Sequence, residues 1–164
     1  IATDLSGNSR AALGKMDELV KAAPNNAYFH EFRGEILLKL RRPGDAANAF
    51  GRAMKLANDS SGLIRSRYAF ALLSTGDPGN ARKSVDNFRA AIQSDPDNLN
   101  AYLHLSQAYG LTGDIGNADL AMAEGHFRAV SMREAQVFAA RALQRLPKGT
   151  PGARRANDIL SVAK

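Results

Sequence analysis

The chain of 164 residues has no cysteine. That excludes a disulfide framework, a thiol nucleophile and any cysteine-ligated metal or iron–sulfur centre. It leaves the compartment open, because a cysteine-free chain suits a reducing or an oxidising one. No stretch approaches the roughly 18 consecutive apolar residues that a membrane span needs. A signal-peptide pattern is also missing, and the first residue is Ile1 rather than Met, so the chain is expected to be a piece of something longer. Strand signals are nearly absent: there is no sustained period-two alternation and no Asn-Gly or Asp-Gly turn between β-branched runs.

Catalytic patterns are lacking too. Two histidines at i and i+4 would let one helix face grip zinc, but His30-Glu31-Phe32-Arg33-Gly34 ends in glycine, which cannot ligate a metal. His30 therefore reads as a packing or capping residue. His104 and His126 each stand alone in their helices, and Glu124 points away from His126. No G-x-S-x-G is present. Gly110, Gly113 and Gly116 follow a helix rather than a strand and lack the Lys-Ser/Thr of a phosphate-binding loop. Asp95-Pro96-Asp97-Asn98 begins like a calcium loop, yet Ser106 stands where the bidentate glutamate belongs. The expectation is no catalysis, no cofactor and no metal in this chain.

What is present is enough apolar material to fold, 45% against 23% charged. Formal charge is +6, and +5 of it falls between Val130 and Lys164, from Arg133, Arg141, Arg145, Lys148, Arg154, Arg155 and Lys164 against Glu134 and Asp158. Such a segment reads as a solvated helix face, and no nucleic-acid partner is expected. Turn residues cut the chain at Pro24–Asn26, Arg42–Asp45, Asn58–Gly62, Gly76–Gly79, Asp95–Asn98, Gly113–Gly116 and Pro147–Pro151. Between the cuts, apolar residues recur at three and four, as in Phe32, Ile36, Leu37, Leu40 and in Val137, Ala140, Leu143. Short loops of this kind predict about nine antiparallel helices.

The helices repeat. Gly34, Ala46, Phe50 and Ala53 form one series; Ala69, Ser84, Phe88 and Ala91 form a second, with three residues inserted near Asp77–Asn80; Ser106, Ala118, Met122 and Gly125 form a third. Small residues sit where two helices cross closely, and a large apolar residue fills the gap beside them. This pattern resembles the tetratricopeptide repeat, a helix–turn–helix unit of about 34 residues. The predicted fold is an all-α, right-handed solenoid forming a single domain over 1–164. A degenerate N-terminal helix would occupy 1–26, with Ala12, Met16 and Pro24 in second-helix register. Repeats would follow at 27–59, 62–98 and 99–131. A half-repeat marked by Ala135, Ala139, Ala142, Leu143 and Pro147, then a capping helix near Pro151 to Val162, would complete 132–164. His30 and Arg65 depart from the family's tryptophan, and Asn58 from its proline.

A narrower resemblance concerns Tyr28-Phe29-His30-Glu31 with Gly34, the interrupted Gly76-Asp77-Pro78, and Leu146–Pro151 with Asp158-Ile159-Leu160. These strings are similar to the C-terminal repeat domain of bacterial BepA-type zinc metallopeptidases. The resemblance implies a periplasmic location and a zinc site only in a parent protease domain. It also implies partners among protein or peptide segments, that protease domain and outer-membrane assembly proteins. The alternative is a free-standing scaffold or adaptor.

In such a solenoid the first helices line a concave groove. Repeat register places Tyr28, Glu31, Glu35 and Leu38 there from the first unit, Leu63, Ser66, Phe70 and Leu73 from the second, and Asn100, Leu103, Gln107 and Leu111 from the third. Glu31 and Glu35 would repel a terminal carboxylate, so a carboxylate clamp is excluded. An apolar centre with an acidic end suits an extended or helical segment carrying basic residues. Equally, Phe70, Leu73 and Leu111 can be read as packing against neighbouring helices.

Overall fold

The computed structural model describes residues 2–58 and 61–162, with side chains from residue 7 onward. Asp59 and Ser60 of one expected turn, and Lys164 of the basic tail, lie outside the described residues. Among those described there are helices and no strand: α1 (Ala2–Ala22), α2 (Ala27–Lys39), α3 (Pro43–Leu56), α4 (Gly62–Leu73), α5 (Pro78–Ser94), α6 (Leu99–Thr112), α7 (Ile115–Arg128), α8 (Met132–Arg145) and α9 (Pro151–Val162). Each packs on its chain neighbour, so the molecule is a stack of helical hairpins.

Short polar side chains start most of the helices, because an N-terminal turn leaves backbone N–H groups without partners. Asn26 accepts from Tyr28 N, Ser61 from Ile64 N, Asp77 from Asn80 N, Asn98 from Ala101 N, Asp114 from Asn117 N and Thr150 from Ala153 N. Pro43, Pro78 and Pro151 open α3, α5 and α9, where the missing N–H costs nothing.

The first two hairpins close on the residues of the repeated series, whereas in the third Ser106 and Met122 are only half-buried and Tyr102 takes the filling role beside Gly125. Gly34 of α2 faces the Phe50 ring so tightly that a Cβ there would lie 2.8 Å from three ring carbons. Phe50, Ala46 and Ala53 are completely buried. In the second unit Phe88 is completely buried in one cluster with Ala69 and Leu73. In the third, Gly125 lies under Tyr102, whose Cβ would be 2.9 Å from an added Cβ.

The C-terminal end is held differently. The buried residues of α8 are Ala135, Ala139 and Ala142, so α7 and α8 approach without large side chains between them. Asp119 of α7 is buried and bridges to Arg141 Nη2 and Arg145 Nη1, each at 3.0 Å. The cap α9 packs on both α8 and α7. Its Arg155, expected on the outer face, turns inward instead: Nε donates to Glu124 Oε1 at 3.2 Å and the guanidinium lies over the Phe127 ring. Three arginines of the basic tail are thus consumed by internal pairs. Arg154 stays exposed and donates to the Gly149 carbonyl.

One turn lacks turn chemistry. Between α7 and α8 the chain reverses at Ala129-Val130-Ser131, which contains no Gly, Pro, Asn or Asp. Ser131 N donates to His126 O and Val130 N to Phe127 O, the closing pattern also made by Asp114 and Gly113, and by Arg42 and Arg41. Each places its middle residue at positive φ: 80° at Gly113, 57° at Arg41 and 59° at Val130. A β-branched residue is strained there. Val130 is 75% exposed and returns little packing. Val130→Gly should therefore raise stability by about 1 kcal/mol in urea unfolding, and Gly113→Val should lower it by a similar amount.

Burial, the largest influence, raises the Tyr102 and Tyr109 hydroxyls above their usual 10.0. Tyr102 also donates to the Pro96 carbonyl at 3.1 Å. A raised folded pKa means the unfolded chain releases its proton first. The associated stability is present below pH 10.0 and is lost as pH climbs through the folded values. Tyr102→Phe should cost about 1 kcal/mol at neutral pH and make the decline above pH 10.0 shallower, read from unfolding midpoints across that range.

Candidate protein-binding face

The first helices α2, α4 and α6 touch one another directly. Arg67 of α4 donates through Nη1 to Glu31 Oε1 at 2.7 Å and also to Glu35 Oε1 of α2. His104 of α6 lies with its ring centroid 4.6 Å from Phe70 of α4 and 5.8 Å from Phe88. Its Nδ1 donates to Gln107 Oε1 at 3.1 Å. These contacts make one layer of three helices, with α3, α5 and α7 forming the other.

The expected groove residues divide into three kinds. Tyr28 is 70% exposed and Leu63 54%; Leu103 and Leu111 are also exposed, as are Asn100 and Gln107. Glu31, Glu35 and Ser66 are half-buried. Leu38 packs partly against the first core cluster and Phe70 against the second. Leu73 is 8% exposed and belongs to the second cluster with Phe88, so it faces the core and presents no open surface. Leu111, for which packing was equally open, is at the surface.

The acidic end of the groove is partly answered from within. The single guanidinium of Arg67 is shared by the carboxylates of Glu31 and Glu35, so the three groups together keep a net negative charge. Sequence reading missed Arg67, His104 and the exposed Phe32. All three occupy the sixth position of their units, and they decide how neighbouring first helices meet. Comparing that column across the repeats would have found them.

No three His, Asp or Glu among the described residues are grouped to hold a metal ion. His30 is buried, with Nε2 2.8 Å from the Pro24 carbonyl, which it caps. His126 stacks on Phe138 at 5.4 Å. No helix among the described residues is long and apolar enough to cross a membrane.

The arrangement is that of a tetratricopeptide-like α-solenoid. A family model for the tetratricopeptide repeat matches residues 6–62. Among solved structures the chain is similar to a crystal structure of MamA, with TM-score 0.71 and 19% identity over 96% of this chain and 87% of that one. A crystal structure of MamA protein matches at TM-score 0.72 and 18% identity, over 98% and 85%. The MamA RS-1 ArsTM double mutant matches at 0.71 and 16%, over 99% and 92%. At these identities the likeness is one of fold. No curated protein sequence matches the chain.

Arg67→Leu should destabilise the fold by about 1 to 3 kcal/mol, because Glu31, with 13% of its side chain exposed, loses its counter-charge. Adding Glu31→Gln and Glu35→Gln should recover part of that loss in the same urea titration.

Proposed function

We propose that this chain is a protein-interaction scaffold whose concave layer of α2, α4 and α6 holds an extended or helical protein segment. The observation that carries this reading is the run of exposed apolar side chains along the first helices: Tyr28, Leu63, Leu103 and Leu111. Soluble proteins seldom leave such a row open without a partner. Asn100 and Gln107 add neutral hydrogen-bonding groups beside it, suited to the backbone of a bound segment. Glu31 and Glu35, only half-neutralised by Arg67, leave a net negative charge at one end, so a basic residue of the segment would add to the apolar anchors.

Two settings suit the scaffold. In one it serves a periplasmic zinc metallopeptidase, presenting envelope proteins to a protease domain; the BepA-like strings alone support this. In the other it is a free-standing adaptor. The likeness of fold to the MamA chains is compatible with that setting. Reading the gene upstream of Ile1 separates them, because an H-E-x-x-H motif there favours the first.

The binding reading is tested by selecting a displayed random-peptide library on the protein. Enriched peptides should carry spaced apolar anchors. Leu63→Asp with Leu103→Asp should weaken them at least tenfold by fluorescence anisotropy, since each buried anchor contributes about 1.5–3 kcal/mol. No enrichment, or equal binding to the variant, would overturn it.

A further inference from the structure

The second helices border a groove that the concave reading does not use. Between α3 and α5, across the back of α4, lies a cavity of about 810 Å³. On its floor Met54 and the Tyr68 ring, which lies against Gly51, are partly exposed, with Ala47 and Leu72 buried beside them. Its rim is cationic. Arg42, Arg52, Lys55 and Lys83 surround it with Asp45 the one carboxylate among its lining residues.

Internal pairing removes only part of that charge. Asp45 is bound to Arg42 at 2.7 Å, and Arg52 donates to the neutral amide oxygen of Asn25 at 3.1 Å. The ammonium groups of Lys55 and Lys83 have no carboxylate partner among the described residues, and they stand on opposite walls, one on α3 and one on α5. This contrasts with the C-terminal helices, where Asp119 and Glu124 hold Arg141, Arg145 and Arg155. The excess positive charge at this groove is therefore available to a ligand.

We propose that the outer groove between α3 and α5 is a second docking site and that its occupant is an acidic protein segment. Carboxylates of the segment would meet Lys55 on one wall and Lys83 on the other, and an apolar side chain between them would lie over Tyr68 and Met54. Charge complementarity sets the sign of the ligand. The floor sets its class, because the Tyr68 ring and Met54 between the cations suit a segment that alternates acidic and apolar side chains better than a phosphate backbone, which gains from cations alone. Asn80 and Thr75, already hydrogen-bonded to each other at 3.1 Å, line the same groove and can hydrogen-bond the segment's backbone.

The test titrates the isotopically labelled protein with a synthetic dodecapeptide of alternating glutamate and leucine pairs at physiological ionic strength. A parallel titration uses an oligothymidylate of equal charge. Amide shifts should concentrate at Gly51, Tyr68, Thr75 and Asn80. Lys55→Glu with Lys83→Glu should weaken the peptide on the order of tenfold or more. Lys15→Glu with Lys148→Glu, which changes net charge equally at exposed sites elsewhere, should change affinity less than about twofold. Thermal unfolding of both variants reports that the fold is kept. The proposal fails if the peptide does not bind at millimolar concentration, or if both double variants weaken it alike. It fails equally if shifts map to Leu63 and Leu103, or if the oligonucleotide binds the same residues as tightly.

Discussion

The close crossing of the two helices in each hairpin is the constraint on which the rest depends. At Gly34 the backbone of α2 is nearly in contact with the Phe50 ring, and no side chain fits between them. The same economy of space recurs at Gly125 under Tyr102 and in the alanine seam of α8. A core built from alanine and glycine with few rings keeps helices near one another, so the stack is thin and most residues stay close to a surface. A thin molecule without a large interior has few places for an enclosed reaction centre and much surface for partners.

That geometry gives the two layers different surfaces. On the inner side, sixth-position residues tie each first helix to the last: Arg67 reaches back to Glu31 and Glu35, and His104 reaches back to Phe70. The layer is closed by these contacts, and what remains open is a row of apolar side chains. On the outer side the second helices are held apart, with α4 exposed at the bottom of the gap between α3 and α5. One surface presents apolar side chains beside the Glu31, Glu35 and Arg67 cluster, the other a cationic rim.

The basic balance of the chain acquires meaning only from where the acids lie. Asp119 and Glu124 sit on α7 and draw in arginines from α8 and α9, fastening the end of the stack. Three of the seven basic residues in the tail that holds most of the formal charge are therefore spent on structure. Lys55 and Lys83, which look unremarkable in the sequence, have no carboxylate partner among the described residues.

Helix positions were legible in the sequence because turn chemistry and helical periodicity are local. Pro43, Pro78, Pro151 and the capping Asn, Asp and Ser residues act within one turn of themselves. The repeat register was legible too, since Gly34 to Phe50 and Ala69 to Phe88 state in residue type how closely two helices meet. The Val130 turn was not marked by any turn residue, because contacts between α7 and α8 hold that backbone against its own preference. Nor could spacing alone show that Leu73 faces the core, that one guanidinium answers both Glu31 and Glu35, or that Arg155 turns inward. The sequence determined which helices form and how they pair, from interactions a few residues long. Tertiary structure decided which charges and apolar groups remain free, because that depends on partners about 30 residues away along the chain.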